Sequence, residues 1–81
     1  MAWCALVRTW NGERKAYDCL TLRVEGTGEP GCLIRLYEGE TPVAEALGDS
    51  PQLAISKALQ FAQTYLKDTT ITEDSLRWVQ L

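Results

Sequence analysis

One stretch in the second half of the chain repeats apolar residues with the spacing of a helix. Between residues 50 and 67, SPQLAISKALQFAQTYLK, the apolar side chains fall within an arc roughly 160° wide on a helical wheel. Ser50 is suited to capping the free amides at the start, and Pro51 suits the first helical position. Docking of such a helix into a partner is the alternative, but one-sided helices of this length usually pack in their own core. The pattern predicts one helix lying flat on a sheet. The helix residues predicted to contact the sheet are Ala54, Ile55, Ala58, Leu59, Phe61, Ala62, Tyr65 and Leu66.

The first 25 residues alternate apolar and polar positions, which is typical of β-strands. Residues 2–10 and 14–25 predict two strands, and Asn11-Gly12 between them favours a two-residue type I′ turn. In that register Trp10 opposes Glu13, and the alternation separates an inward face from an outward face. The inward face, interrupted by Asp18, carries Trp3, Ala5, Val7, Ala16, Leu20, Leu22 and Val24.

Two further strands are predicted between this hairpin and the helix. A glycine-rich loop at residues 26–30 leads into a strand at 31–38, and a turn at 39–41 leads into a strand at 42–47. A pair of opposite charges across these strands supports their register. The pairs that follow are Arg35 with Glu45, Val43 with Tyr37, and Leu47 with Leu33.

The last residues leave two conformations open. Thr72, Glu73 and Asp74 predict a short helical turn, and residues 75–81 fit a fifth strand or a further helix, of which we favour the strand. Together the elements predict an α+β fold, a four- to five-stranded antiparallel β-meander with one long helix on one face, in the order β-β-β-β-α-β. The length of 81 residues predicts a single small domain, residues 1–81, whose elements share one core.

The helix covers one face of this sheet, and the other face is more apolar than a solvated face should be. Three segments or partners are candidates to cover this second face: the C-terminal segment with Trp78, a second copy of the chain, or another protein. Aromatic residues beside arginine are the composition of interface hot spots. The predicted binding residues are Trp10, Tyr17, Leu33, Arg35, Tyr37 and Val43.

The amino-acid composition argues against metal binding and catalysis. The chain has no histidine, and its three cysteines form no C-x-x-C motif, so it lacks the four ligands of a structural zinc site. The missing histidine also removes the commonest general base, and no phosphate-binding loop motif is present. In the predicted register Cys4 opposes Cys19, but we expect no disulfide. We predict a protein that is not an enzyme and has no catalytic residues, metal or cofactor.

The net charge of −3 is unevenly distributed along the chain. Residues 24–56 hold six acidic residues and one basic residue, whereas residues 1–23 hold four basic and two acidic residues. The acidic middle suits a basic protein partner and repels phosphate, although acids in turns also simply keep a small protein in solution. The start MAWCALVRTW lacks a basic region and a cleavage site, and no apolar run reaches membrane-spanning length, which predicts a cytoplasmic protein.

The strand and helix order resembles two known families. Three strands followed by a helix that begins after Gly48-Asp49-Ser50 resemble the double-stranded RNA-binding domain, a resemblance that implies RNA binding. That family's first helix is absent, and the lysines that grip phosphate at the start of its closing helix are replaced here by Ser50, Pro51, Gln52 and Leu53. Residues 31–66 resemble the HicB type of antitoxin in their strand–strand–helix order and helix alanines.

The sequence therefore predicts a non-catalytic regulatory or adaptor module, similar to small antitoxins or inhibitors, that binds another protein or its own copy as a homodimer and does not bind a membrane. One alternative is a nucleic-acid-binding module, which the composition disfavours. Another is a small enzyme or ligand carrier, which needs a polar-lined pocket that no motif indicates. The nucleic-acid alternative depends on the basic residues Arg8, Arg14, Lys15 and Arg23.

Overall fold

The computed structural model describes residues 3–28 and 31–80, in which five strands and one long helix form. The strands make one antiparallel sheet in the order β4-β3-β2-β1-β5, and the helix lies across one face, chiefly over β3 and β4. This arrangement confirms the predicted fold class. The elements are β1 Trp3–Asn11, β2 Ala16–Gly28, β3 Gly31–Glu38, β4 Thr41–Gly48, α1 Pro51–Leu66, a 3₁₀ turn Glu73–Ser75, and β5 Trp78–Gln80.

The start of α1 is set by the residues that the sequence indicated. The Oγ of Ser50 accepts a hydrogen bond from the amide of Leu53 at 3.2 Å, and Pro51 takes the first helical position. Lys67 ends the helix in the left-handed conformation, with φ 55°. One residue of the predicted apolar arc is not in the core: Tyr65 is exposed, and its hydroxyl donates to the carboxylate of Glu38.

The core lies between α1 and the face of the sheet that it covers, which we call the inner face; the opposite face is the outer face. Alternation along each strand places every second side chain on the inner face, where small and aliphatic residues meet the helix alanines. Trp3 and Ala16, predicted to face inward, are exposed near the ends of their strands. The buried residues are Ala5, Val7, Leu20, Leu22, Cys32, Ile34, Leu36, Ala46, Ala54, Ala58, Ala62, Leu66, Ile71 and Leu76.

The helix N-terminus is pressed against the end of β4. Gly48 is buried, and a Cβ built on it would overlap the amide nitrogen of Ala54. A side chain of any size at this position would therefore push the helix away from the sheet. Gly48 is what lets the chain turn directly from the strand into a helix packed on the same sheet.

The first hairpin is wider than the sequence predicted. Asn11 pairs with Ala16, so the loop has four residues instead of two. The side-chain oxygen of Asn11 accepts hydrogen bonds from the amides of Glu13 and Arg14, and Lys15 carries the positive φ of 54° that a type I′ turn would place on Asn11 and Gly12. The hydrogen bonds from the backbone to the Asn11 side chain therefore stabilise the four-residue loop in place of the two-residue turn. The observed partners of Trp10, Arg8 and Cys4 are Tyr17, Cys19 and Arg23 in place of Glu13, Lys15 and Cys19.

Two bulges alter the register of the remaining strands. The pairing of β3 with β4 confirms Arg35 opposite Glu45 and Leu47 opposite Leu33, but Tyr37 pairs with Pro42, which leaves Val43 as the extra residue. The turn is correspondingly shorter, with Gly39 at φ 63°. On β2 the partners change between Val24 and Gly26, which leaves Glu25 as the extra residue of a second bulge. β2 continues to Gly28, where the sequence predicted a loop.

The C-terminal segment extends the sheet at its β1 edge. The 3₁₀ turn Glu73–Ser75 confirms the predicted helical turn, and the amide of Thr72 donates to the Oγ of Ser75 at 3.2 Å. Within the described residues β5 begins at Trp78, three residues later than predicted, and it pairs with Trp3, Cys4 and Ala5. Ala2, Glu29, Pro30 and Leu81, which the predicted elements included, lie outside the described residues.

Candidate binding surface on the outer sheet face

The outer face carries large apolar side chains that are about half exposed. Five of them have 50 to 58 % of their surface exposed, whereas the buried strand residues of the inner face have 5 % or less exposed. They come from four of the five strands, so the exposure is a property of the whole face. The five residues are Leu6, Trp10, Tyr17, Leu47 and Val79.

At the hairpin end of this face, three side chains form an aromatic cluster. Trp10 and Tyr17 are cross-strand partners, and their rings meet edge to face with centroids 5.1 Å apart. The guanidinium carbon of Arg8 lies 4.5 Å from the centroid of the Tyr17 ring. Both contacts restrain these side chains on an exposed surface, so the cluster is ordered without being buried.

A row of charged residues crosses the middle of the outer face. The Nη2 and Nε of Arg35 both donate to Oε1 of Glu45, at 2.7 and 3.0 Å. The hydrogen bond with Glu45, and then that with Tyr37, raises the pKa of Arg35 above its ordinary value. Arg23 pairs directly with Arg35 across the ladder, an arrangement of like charges that needs compensation nearby.

Glu25 supplies part of that compensation, and sequence reasoning missed it. Its Oε1 accepts a hydrogen bond from the Tyr37 hydroxyl at 2.6 Å and lies 3.9 Å from the Nε of Arg23. Glu25 lies at the bulge in β2, and the glycine that follows it is the sequence signal that could have indicated this bulge. With Glu45 it gives the outer face two carboxylates among its arginines.

Five of the six predicted binding residues lie on the outer face. Trp10 and Tyr17 are in the aromatic cluster, Arg35 and Tyr37 are in the charged row, and Leu33 is half-buried beside them. Val43 lies elsewhere: at the bulge in β4 it packs, half-buried, against the core. The bulge turns this side chain away from the face that strict alternation would give it.

The C-terminal segment, one of the three predicted covers, does not fold over the outer face within residues 75–80. β5 adds a strand at the edge, with Trp78 packed against the core and Val79 exposed beside Cys4. The strand thereby widens the outer face. Among the residues that the structure describes, nothing covers this face.

The basic residues of the first hairpin are dispersed. Arg14 forms an ion pair with Asp18, whose carboxylate also accepts a hydrogen bond from Asn11, and Lys15 lies in the turn. Only Arg8 and Arg23 are on the outer face, and Arg23 lies close to Glu25. A continuous phosphate-binding track does not form from these four residues.

The three cysteines are free thiols in different surroundings. Cys19 is exposed on the outer face, Cys4 is half-buried there, and Cys32 is buried in the core, where desolvation raises the pKa of its thiol. Within residues 3–28 and 31–80, no group of three or more His, Cys, Asp or Glu side chains is placed to hold a metal ion.

Comparison with known proteins identifies no relative of this chain: no family model, no curated protein and no solved structure matches it. Over the described part of the chain, the structure has no helix of the length and apolarity needed to cross a membrane.

Proposed function

We propose that the chain is a non-catalytic regulatory or adaptor module that acts by binding protein through the outer face of its sheet. The observation that carries this proposal is the set of five half-exposed apolar side chains on a face that no described residue covers. Leaving such a patch in water is unfavourable, and patches of this kind mark interaction sites on small proteins.

The size of the face is adequate for a specific interface. Where β5 pairs with Trp3–Ala5, five strands about 4.8 Å apart give a width of roughly 24 Å. The sheet narrows to β1 and β2 at the aromatic cluster, and the strands extend about 3.4 Å per residue along the other direction. A side of a standard interface needs about 800 Å². The outer face brings aromatic anchors and arginines together on one side of the sheet, which favours it over the polar side of α1.

The charges favour a protein partner over a nucleic acid. Glu25 and Glu45 lie among the arginines and would repel a phosphate backbone. Arg8 stacks on Tyr17 and has no carboxylate partner among the described residues, so it is available to a carboxylate of the partner. The expected complement is an apolar protein surface that presents an acidic group near the aromatic cluster.

The first test is the mass in solution, by light scattering at two protein concentrations, for the wild type and for two matched variants. Trp10→Ala removes an exposed ring from the outer face, and Leu53→Ala removes an exposed apolar side chain from α1. Self-association through the outer face predicts a mass near twice the monomer that Trp10→Ala lowers and Leu53→Ala leaves unchanged.

A monomer at both concentrations directs the test to a different protein. A photo-crosslinking residue at position 10, and the same residue at the exposed helix position 56, would then be compared in cells that make the protein. One discrete adduct formed from position 10 and absent from position 56 supports the proposal. Equal crosslinking from both positions, or none from either, contradicts it.

A further inference from the structure

The two edges of the sheet are protected to different extents. The β4 edge carries Pro42 and the bulge at Val43. The Nζ of Lys57 donates a hydrogen bond to the carbonyl of Leu47 at 2.9 Å. Proline, bulges and lysine are devices that prevent a further strand from pairing with an edge. The segment of β1 from Leu6 to Trp10 has neither proline nor bulge.

β5 occupies only the first part of the β1 edge. Its pairing ends at Ala5, although β1 continues to Asn11. The backbone hydrogen bonds of residues 67–76 remain local: the amide of Asp68 donates to Gln63, and that of Leu76 donates to Glu73. Alternate residues of β1 beyond Ala5 therefore present their N–H and C=O groups to an open space that continues the line of β5.

This open space is a groove of about 390 Å³. Leu6, Val7 and Arg8 form its β1 side. The opposite side is the segment that connects α1 to β5, through Asp68, Thr70, Ile71, Ser75 and Arg77. A hydrogen bond joins the connection to β1, from the Oγ1 of Thr9 to Oδ2 of Asp68 at 3.0 Å.

The groove has a wall on each side, and this shape favours a single extended segment over a strand of a second copy. A strand that belongs to a sheet, such as β1 of a second copy, would bring its neighbouring strand into the space that residues 70–77 fill. A single extended segment has no neighbour and fits between the two walls. Two arginines, Arg8 and Arg77, line the groove. The Nη1 of Arg77 donates to the carbonyls of Asp74 and Leu76, which carry no net charge to balance it. The carboxylate of Asp68 is already bonded to Thr9 and Thr70. The groove therefore favours an acidic segment.

We propose that the open edge of β1 at Leu6–Arg8 binds an extended acidic peptide segment of another protein, which adds to the sheet as a strand in line with β5. Backbone hydrogen bonds supply the attraction, and acidic side chains at alternate positions meet Arg8 and Arg77. The site adjoins the interface of the outer face and shares Leu6 and Arg8 with it, but its central contacts are backbone groups at the sheet edge.

The test uses three synthetic heptapeptides and amide hydrogen exchange resolved by residue. The probe alternates glutamate with valine, the charge control alternates lysine with valine, and the backbone control replaces the valines of the probe with proline, which has no N–H to donate. The probe is expected to slow exchange at alternate amides within Leu6–Arg8. The lysine peptide is expected to bind more weakly, and the proline peptide is expected to give no protection.

Two matched variants establish the location. Thr70→Trp places a large ring in the groove and is expected to abolish protection by the probe, whereas Thr69→Trp adds the same ring at an exposed residue outside the groove lining and is expected to preserve it. Unchanged exchange of the free variants elsewhere in the sheet verifies that both fold.

Three outcomes overturn the proposal. The first is that the glutamate–valine probe protects no amide of β1. The second is that protection appears but survives Thr70→Trp. The third is that the same amides become protected as the protein concentration rises without any peptide, which would assign the edge to a second copy of the chain.

Discussion

The inner and outer faces of the sheet are built from the same strands and have opposite properties. On the inner face the side chains are small or aliphatic, and Leu20, Leu22 and Ile34 are completely buried. On the outer face the residues between them along the strands include Tyr17 and Leu47, which are half exposed. The buried core therefore lies on one face, and the large side chains of the other face are only partly removed from solvent. The two faces can therefore be perturbed separately.

The largest effect is expected from a charge placed beneath the helix. Ala58 is completely buried on the inner face, so Ala58→Asp should lower the free energy of unfolding by about 4 kcal/mol or more, because the carboxylate has no partner there. Ser56→Asp puts the same group on the exposed side of α1 and should change little. Thermal melts of the two variants measure the difference. Equal melts would mean that the inner side of α1 is misassigned.

The next effect compares one leucine from each face. Leu22→Ala should cost about 2 to 5 kcal/mol through lost burial and a cavity. Leu6→Ala, on the neighbouring strand but on the outer face, should cost less than about 1 kcal/mol in the isolated monomer. Denaturant unfolding gives both values. A cost for Leu6→Ala close to that of Leu22→Ala would show that the outer face is covered.

A smaller effect is expected from one methyl group at the closest contact of sheet and helix. Gly48→Ala should cost about 1 to 3 kcal/mol, because the added Cβ overlaps the backbone of Ala54. Gly26→Ala is the control: a Cβ there meets nothing within 4 Å, so the change should be neutral or stabilise by up to about 1 kcal/mol. Denaturant midpoints compare the pair, and similar values would contradict the close contact.

The smallest effect concerns the end of α1 and depends on pH. The hydroxyl and then the amide of Thr70, with a further contribution from the Thr9 hydroxyl, lower the pKa of Asp68. A carboxyl group whose pKa is lowered by folding stabilises above its unfolded pKa of about 3.9, and this contribution is lost as the pH falls below that value.

Asp68→Asn should therefore lower the melting temperature at neutral pH, and its difference from the wild type should shrink below a pH of about 4. Asp49→Asn, at an exposed turn residue, gives the reference for the loss of one negative charge. Melts at a series of pH values check the result. A difference that is independent of pH would exclude this role of Asp68.

The two-face division is predictable from the sequence even where the register is not. The true partners in the first hairpin differ from the predicted ones by four residues, so every side chain keeps its face although Cys4 meets Arg23 in place of Cys19. The start of α1 follows from Ser50 and Pro51, whose effects are local. Elements with strong local determinants were thus correctly identified.

The errors lie where a single residue changes the alternation or where distant segments meet. Val43 and Glu25 are at bulges, and a bulge depends on how two strands fit together, which alternation within one strand does not reveal. The choice of the β1 edge for β5 depends on where the helix ends relative to the sheet. For this reason the groove beside Leu6 has no counterpart in the sequence pattern.

The pairing of β1 with β5 has a practical consequence for the chain ends. Trp3 is the partner of Gln80, and partners in an antiparallel ladder have Cα atoms about 5 Å apart. Because the two strands run in opposite directions, the backbone enters and leaves the sheet at one corner. A short linker could join Gln80 to Trp3, and new termini could be opened at the exposed turn Gly39-Glu40. The domain is therefore well suited to circular permutation and to insertion into a surface loop of another protein.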